Sequence, residues 1–295
     1  MPVIYKNPKL SDYFSKVVHL RADTPPHDVP SIIKPFEAGR VISFPNLKFD
    51  IDFDFWSSLP TENYRGLKKL SSSPSTGDPS RDAVLDRRLA DADIPVDIER
   101  RLKREIRKFY AEALPIYEAM FSGYRFTRRQ VVWRLNTIRN ENLHIDTYPT
   151  DFEDHFARLF INLDDQPRIW MTSYTVEEMF DRFGGVLTQE MLEKGSAGEV
   201  RAALNEAVFG GRSTVWWDRQ PRHMVYFDPG DVWAVDSRQV SHQIFYGRRA
   251  VSIDFFVARD SMRKIKRHYL HMAEFLRRKV LYDRMAPPAA KAAAE

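Results

Sequence analysis

Between residues 130 and 257 the chain consists of short segments rich in β-branched and aromatic residues, separated by turn residues. Eight of them are predicted strands: Gln130–Ile138, Leu143–Tyr148, Arg158–Leu163, Arg168–Thr172, His223–Phe227, Asp231–Val235, Gln239–Phe245 and Ala250–Val257. Strands so short and numerous predict a sandwich or barrel, where each buries its apolar face against another sheet. The stretch from about Val176 to Asn205 breaks this pattern. Met179, Phe180 and Phe183, then Leu192, Val200 and Leu204, recur at helical spacing and predict an insertion able to cover a site on the strands.

Helical periodicity dominates the flanks. Helices are predicted near Ser31–Glu37, at Arg81–Asp91 and from Pro95 to Met120, with Pro115 expected to kink the end of the last. A strand is expected at Arg40–Pro45 and a turn-rich loop over residues 70–82. After the strands comes a basic helix, roughly Ser261–Met285, with Ile265, Tyr269, Met272, Leu276 and Val280 as its apolar stripe. That stripe is expected to pack on the strands, with a lipid interface as the second option. At 295 residues the expectation is a single α+β domain over 1–285, with a disordered tail at 286–295.

Composition removes several classes of function. There is no cysteine, hence no disulfide, thiolate ligand or thiol nucleophile, which fits a reducing cytoplasm. No apolar run is long enough for a membrane span, and the start lacks the pattern of a secretory signal. Net charge is +4 overall, yet residues 259–284 hold nine Lys or Arg against three acids, a local +6. A surface meeting phosphate or anionic lipid is one reading of that segment, and a solvated basic helix the other.

The chemistry-bearing residues are His144, Asp146 and His242. Residues i and i+2 of a strand face one way, so His144 and Asp146 can aim at one ion. His242, 98 positions later, would complete a facial set of two imidazoles and a carboxylate. That set suits non-haem Fe(II), because it leaves coordination positions open for a cosubstrate and O2. Zinc could use the same ligands, although neither His-Glu-x-x-His nor His-x-His occurs. His19, His27, His155 and His223 stand singly, and His268 with His271 lies in the basic segment, where packing roles are expected.

A dicarboxylate such as 2-oxoglutarate needs a cation. On the last strand Arg248, Ala250, Ser252 and Asp254 would share one face, and Arg248 with Ser252 is preferred over Arg249 for the distal carboxylate. Arg134 and Asn136 share a face of the strand leading to the metal segment and are candidates for the cosubstrate's other end or a polar substrate. Arg158 and Asn162 are similar candidates, or buried structural hydrogen-bonders. Trp170, Trp216, Trp217 and Trp233 read as core or pocket wall.

Asn142-Leu-His144-Ile-Asp146-Thr-Tyr-Pro149, Arg158-Leu-Phe-Ile-Asn-Leu163, Pro167-Arg-Ile-Trp170 and the Ser241-His242…Gly247-Arg-Arg249 end resemble the Kdo hydroxylase family, from about Phe36 to Tyr282. The resemblance implies a double-stranded β-helix (jelly-roll, cupin-like) core over 126–258, flanked by N-terminal helices and the basic helix. It implies Fe(II), 2-oxoglutarate and O2 as reactants, with His144, Asp146 and His242 on the iron. It also implies hydroxylation at carbon 3 of 3-deoxy-D-manno-octulosonic acid (Kdo) in the lipopolysaccharide inner core. The substrate would then be an anionic Kdo-lipid A glycolipid met at the cytoplasmic face of the inner membrane, with peripheral membrane contact. Rival expectations are the same chemistry on an amino acid, peptide or natural-product intermediate, a nucleic-acid dioxygenase as the least favoured, and a non-catalytic cupin-like binding module.

Overall fold

The computed structural model describes residues 2–21, 30–75, 78, 81–135, 142–147, 155–211 and 219–285. His27, Asn136, Tyr148, Trp216, Trp217 and the tail 286–295 lie outside the described residues.

In the N-terminal part come β1 (Val3–Tyr5), β2 (Phe14–Lys16), α1 (Pro30–Glu37), β3 (Val41–Ser43), α2 (Phe53–Ser58), β4 (Lys69–Ser72), α3 (Ala83–Ala90) and α4 (Val96–Met120). Next are β5 (Phe126–Arg128), β6 (Val131–Arg134), β7 (His155–Asn162) and β8 (Arg168–Thr175). The insertion follows as α5 (Val176–Phe183), α6 (Gln189–Lys194) and α7 (Ala197–Phe209). The chain closes with β9 (His223–Phe227), β10 (Val232–Ala234), β11 (Val240–Tyr246), β12 (Ala250–Val257) and α8 (Tyr269–Met285).

These elements make a mixed α and β fold with two sheets. The smaller has the order β1-β9-β8-β11; the larger runs β2-β3-β10-β7-β12-β6-β4, with β5 also paired to β12. Pairing is antiparallel throughout, apart from β2 on β3. Strand alternation decides what each face meets. On the larger sheet Trp133, Leu159, Ile161, Val251, Ile253 and Phe255 pack outward under α1, α2 and α4, where Trp133 stacks on Trp56 at 5.1 Å. The opposite face turns Phe160 and Trp233 toward Trp170, Val225, Phe227 and Ile244 of the smaller sheet. Burying each such side chain is worth about 1.5–3 kcal/mol, so this apolar layer holds the two sheets together.

The connection from β11 to β12 crosses between the sheets in three residues. Gly247 makes this possible: its φ is +148°, and a Cβ there would stand 2.8 Å from Cγ and Nη1 of Arg168. Any other residue would be strained at that angle and would push into Arg168.

The structure departs from expectation in three segments. The stretch expected as a loop from residue 70 begins inside β4, which pairs with β6 from Lys69 to Ser72. Of the expected strand Leu143–Tyr148, the described residues 143–147 hold a single antiparallel bridge, between His144 and His242. The expected helix from Ser261 starts only at Tyr269. Its first turns are displaced because the buried Glu37 carboxylate accepts the amides of Arg263 and Lys264, both at 2.9 Å. Met272 and Leu276 of the expected stripe are buried, whereas Ile265 is exposed. Helix α4 continues past Pro115 to Met120.

Candidate metal centre

The segment 142–146 is extended, yet no strand runs beside its full length. Side chains satisfy part of its backbone. Asn205 of α7 accepts the amide of Ile145 at 2.9 Å and donates to its carbonyl at 2.8 Å. Asn142 donates to the carbonyl of Phe209 at the end of α7. The apolar side chains Leu143 and Ile145 pack with Met179, Phe180, Leu204 and Phe209 of the insertion. His144 and Asp146 consequently point the other way, as alternation requires.

Two backbone bonds then pin this segment to β11: the His144 amide to the His242 carbonyl at 3.1 Å, and the reverse at 2.9 Å. The two rings come within 4.7 Å, centroid to centroid. One ligand atom from each of His144, Asp146 and His242 lies within 4.8 Å of the others. His144 Nε2 is 3.5 Å from Asp146 Oδ1. This is the only such group of three among the described residues.

The donor set fits a metal ion. Nδ1 of His144 faces the Asn142 carbonyl at 2.8 Å, and Nδ1 of His242 faces that of Val240 at 3.2 Å. A carbonyl accepts only, so each Nδ1 carries the proton and each Nε2 keeps its lone pair for a metal. Burial, then the neighbouring His144, lowers the pKa of His242 to about 4, so it is neutral at pH 7 as a ligand must be. Trp170 stacks on its ring at 5.4 Å and fixes its plane.

Asp146 is held on its second oxygen. Burial acts to raise its pKa, but the neighbouring imidazoles of His144 and His242 and the Arg158 guanidinium hold it well below the usual carboxylate range. Ser237 Oγ donates to Oδ2 at 2.6 Å and Arg158 Nη1 at 2.9 Å, leaving Oδ1 toward the histidines. The Asp146 amide donates to the Ser237 carbonyl at 3.0 Å. Arg158 is anchored in turn by Asp254, with Nε to Oδ1 at 2.8 Å. Sequence reasoning named Arg158 only as one candidate among several, and missed Ser237, Asn205 and the role of Asp254. No signal in the sequence pointed toward the link between Arg158 and Asp254, which depends on the pairing of β7 with β12.

The remaining expected residues are distributed as follows. Arg248 is bound to Asp164 Oδ1 at 2.7 Å and to Asp165 Oδ1 at 2.6 Å. Arg249 spends its donors on the carbonyls of Trp56, Leu135 and Leu59. Ser252 is buried on the inner face and donates to Asp254 Oδ2 at 3.1 Å. Arg134 lies opposite Ala250, itself opposite Asn162, and Val132 lies opposite Ser252. Arg134 and Ser252 therefore share the inner face of the larger sheet. The Arg134 side chain is half-buried, with no ion pair to a described residue. Asn136 lies outside the described residues. Phe160, Trp170 and Trp233 form an aromatic wall beside the metal cluster.

A two-sheet fold presenting two histidines and one carboxylate in a facial cluster has the ligand set of the mononuclear non-haem iron oxygenases. Comparison with known proteins narrows this class. The sequence profile described as 3-deoxy-D-manno-oct-2-ulosonic acid (Kdo) hydroxylase matches residues 20–205, more than half of the chain. The chain belongs to the Kdo hydroxylase family. The matched region includes His144 and Asp146 and ends before His242, which the fold brings to them.

Solved structures of the Kdo hydroxylase KdoO, a non-haem Fe(II) α-ketoglutarate-dependent dioxygenase, share the fold. The complex with succinate and Fe(III) is 15% identical, with a TM-score of 0.65 over 90% of this chain and 95% of that one. The apo form is 14% identical, with a TM-score of 0.66 over 93% and 99%. The complex with α-ketoglutarate and Fe(III) is 14% identical, with a TM-score of 0.62 over 89% and 95%. No curated protein matches the sequence.

Proposed function

We propose that this chain is an Fe(II)- and 2-oxoglutarate-dependent dioxygenase that hydroxylates Kdo, at carbon 3, in a Kdo-lipid A glycolipid. The observation that carries the reading is the convergence of His144, Asp146 and His242 within 4.8 Å in a member of the Kdo hydroxylase family. Residues 1–285 would act as one domain, the two sheets forming its double-stranded β-helix.

Ferrous iron held by these three side chains would supply, with 2-oxoglutarate and O2, the oxidation of an unactivated C–H bond. The protein's part is to bind, orient and shelter. His144 and His242 offer Nε2 from rings fixed at Nδ1, and Asp146 offers Oδ1 while Arg158 and Ser237 occupy Oδ2. We assign the distal carboxylate to Arg134, half-buried on the inner face, with Ser252 two residues along the neighbouring strand. Arg248 serves the Asp164 and Asp165 pair. The aromatic wall of Phe160, Trp170 and Trp233 limits water around the metal side.

Among the described residues no helix is long and apolar enough to cross a membrane. A glycolipid substrate implies peripheral contact with the membrane face that displays it, which we infer to be the cytoplasmic face of the inner membrane. The deciding assay follows succinate formation with Fe(II), O2 and Kdo-lipid A, together with addition of one oxygen to the glycolipid. Wild type should give both and His144→Ala neither. Faster turnover of a free amino acid, or no 2-oxoglutarate consumption with any substrate, would overturn the assignment.

A further inference from the structure

Two neighbouring features on the C-terminal segment take no part in the metal centre. The first is the turn Arg263-Lys264-Ile265-Lys266-Arg267. Its backbone is pulled inward where Glu37, itself fully buried, accepts the amides of Arg263 and Lys264. The side chains of Arg263, Lys264, Ile265 and Lys266 are left exposed, and none of the three cations forms an ion pair with a described residue. Three charges thus surround an isoleucine that is 43% exposed.

The second is the outward stripe of α8. Met272, Ala273 and Leu276 bury one side of this helix against the insertion. On the other side stand Phe275, Tyr282 and Met285, at 66%, 68% and 77% exposure. Their spacing of seven and three residues puts all three on one face, with Arg278 between them. His271 begins the same stripe, and its ring receives the guanidinium of Arg259, which precedes the basic turn. The cationic turn leads directly into the helix that carries the aromatic stripe.

We propose that this combined surface docks the protein on an anionic lipid bilayer. The inference deepens the glycolipid reading and takes its purpose from it, but its physical argument is separate. Cations near an acidic leaflet are attracted by the surface potential, and aromatic residues settle at the headgroup level. A polyanion such as nucleic acid would use the charges and leave Ile265, Phe275, Tyr282 and Met285 in water. A second copy of the chain would have to present acidic side chains to the turn and apolar ones to the stripe at once. A bilayer alone satisfies both halves of the surface.

The test is co-sedimentation of the full chain with phosphatidylcholine vesicles, with and without phosphatidylglycerol, none containing Kdo. Binding should require phosphatidylglycerol and weaken at high salt. Lys264→Glu/Lys266→Glu and Phe275→Ser/Tyr282→Ser should each lower vesicle affinity about tenfold or more. Both should keep the wild-type melting temperature and the turnover of a water-soluble Kdo oligosaccharide. His144→Ala should bind vesicles as wild type does, which separates docking from catalysis. Failure to bind acidic vesicles, or equal binding by both double variants, overturns the proposal. So does a dimer that the variants dissociate, or loss of binding to single-stranded DNA in place of lipid.

Discussion

Arg158 Nη1 lies 2.9 Å from Oδ2 of Asp146, on the side of the carboxylate away from His144. The same guanidinium reaches Asp254 through Nε, so one buried cation joins β7, β12 and the metal segment. Arg158→Ala would leave the buried Asp254 and the part-buried Asp146 without this shared partner. A loss of about 3–5 kcal/mol in unfolding free energy is expected from denaturant titration. Arg158→Lys keeps the charge but not the fork. Its Co(II) affinity should fall by about 10–100-fold in calorimetry, with the fold retained.

The metal cluster should be detectable without turnover. Co(II) at about one hundred times its dissociation constant should stabilise the wild type by about 2.7 kcal/mol. His144→Ala and His242→Ala should lose that increment. If melting curves of the histidine variants still rise with Co(II), the ligands lie elsewhere.

Arg134 and Arg248 are expected to separate cleanly. Arg134→Ala should weaken 2-oxoglutarate binding at least about tenfold, as loss of a charge-assisted bidentate contact does, with Co(II) affinity unchanged. Arg248→Ala should leave cosubstrate affinity alone and cost stability, about 1–3 kcal/mol, because the fully buried Asp164 loses its partner. The opposite outcome would give the anchoring role to Arg248.

Acid should destabilise the protein through His155. Its ring is fully buried beside Asp236 and Arg238. Burial chiefly lowers its pKa from 6.5 to about 4. Between those values the unfolded chain binds the proton and the native chain does not, so stability falls as pH drops from about 6.5 to 4. Integrated over that window the effect is about 3 kcal/mol. Replacement by Gln should flatten this part of the pH–stability curve measured by urea unfolding; an unchanged slope would refute the assignment.

Much of the β architecture was legible because strand residues repeat every second position and buried strands are short. His223–Phe227 and Ala250–Val257 fall where their composition places them, and Arg158–Leu163, Arg168–Thr172, Asp231–Val235 and Gln239–Phe245 lie within three residues of the observed strands. Leu143–Tyr148, by contrast, does not form one among the described residues. The candidate ligands were legible for the same reason, since a period of two puts His144 and Asp146 on one side. The strand pairing of Lys69–Ser72 was hidden in a serine-rich stretch whose composition reads as loop. The late start of α8 was hidden because its cause, Glu37, is more than two hundred residues away.

By itself, then, the sequence determined the class of fold, the three candidate ligand types and the local excess of positive charge. Those depend on residue identity and short-range spacing. Tertiary structure decided that His242 meets His144 across a single bridge, that Arg158 and Ser237 hold Asp146, and that Arg248 is occupied by Asp164. It also decided which side chains of the basic segment face water. Each of these rests on contacts between residues distant in the chain, and a long side chain takes the partner that folding brings within reach.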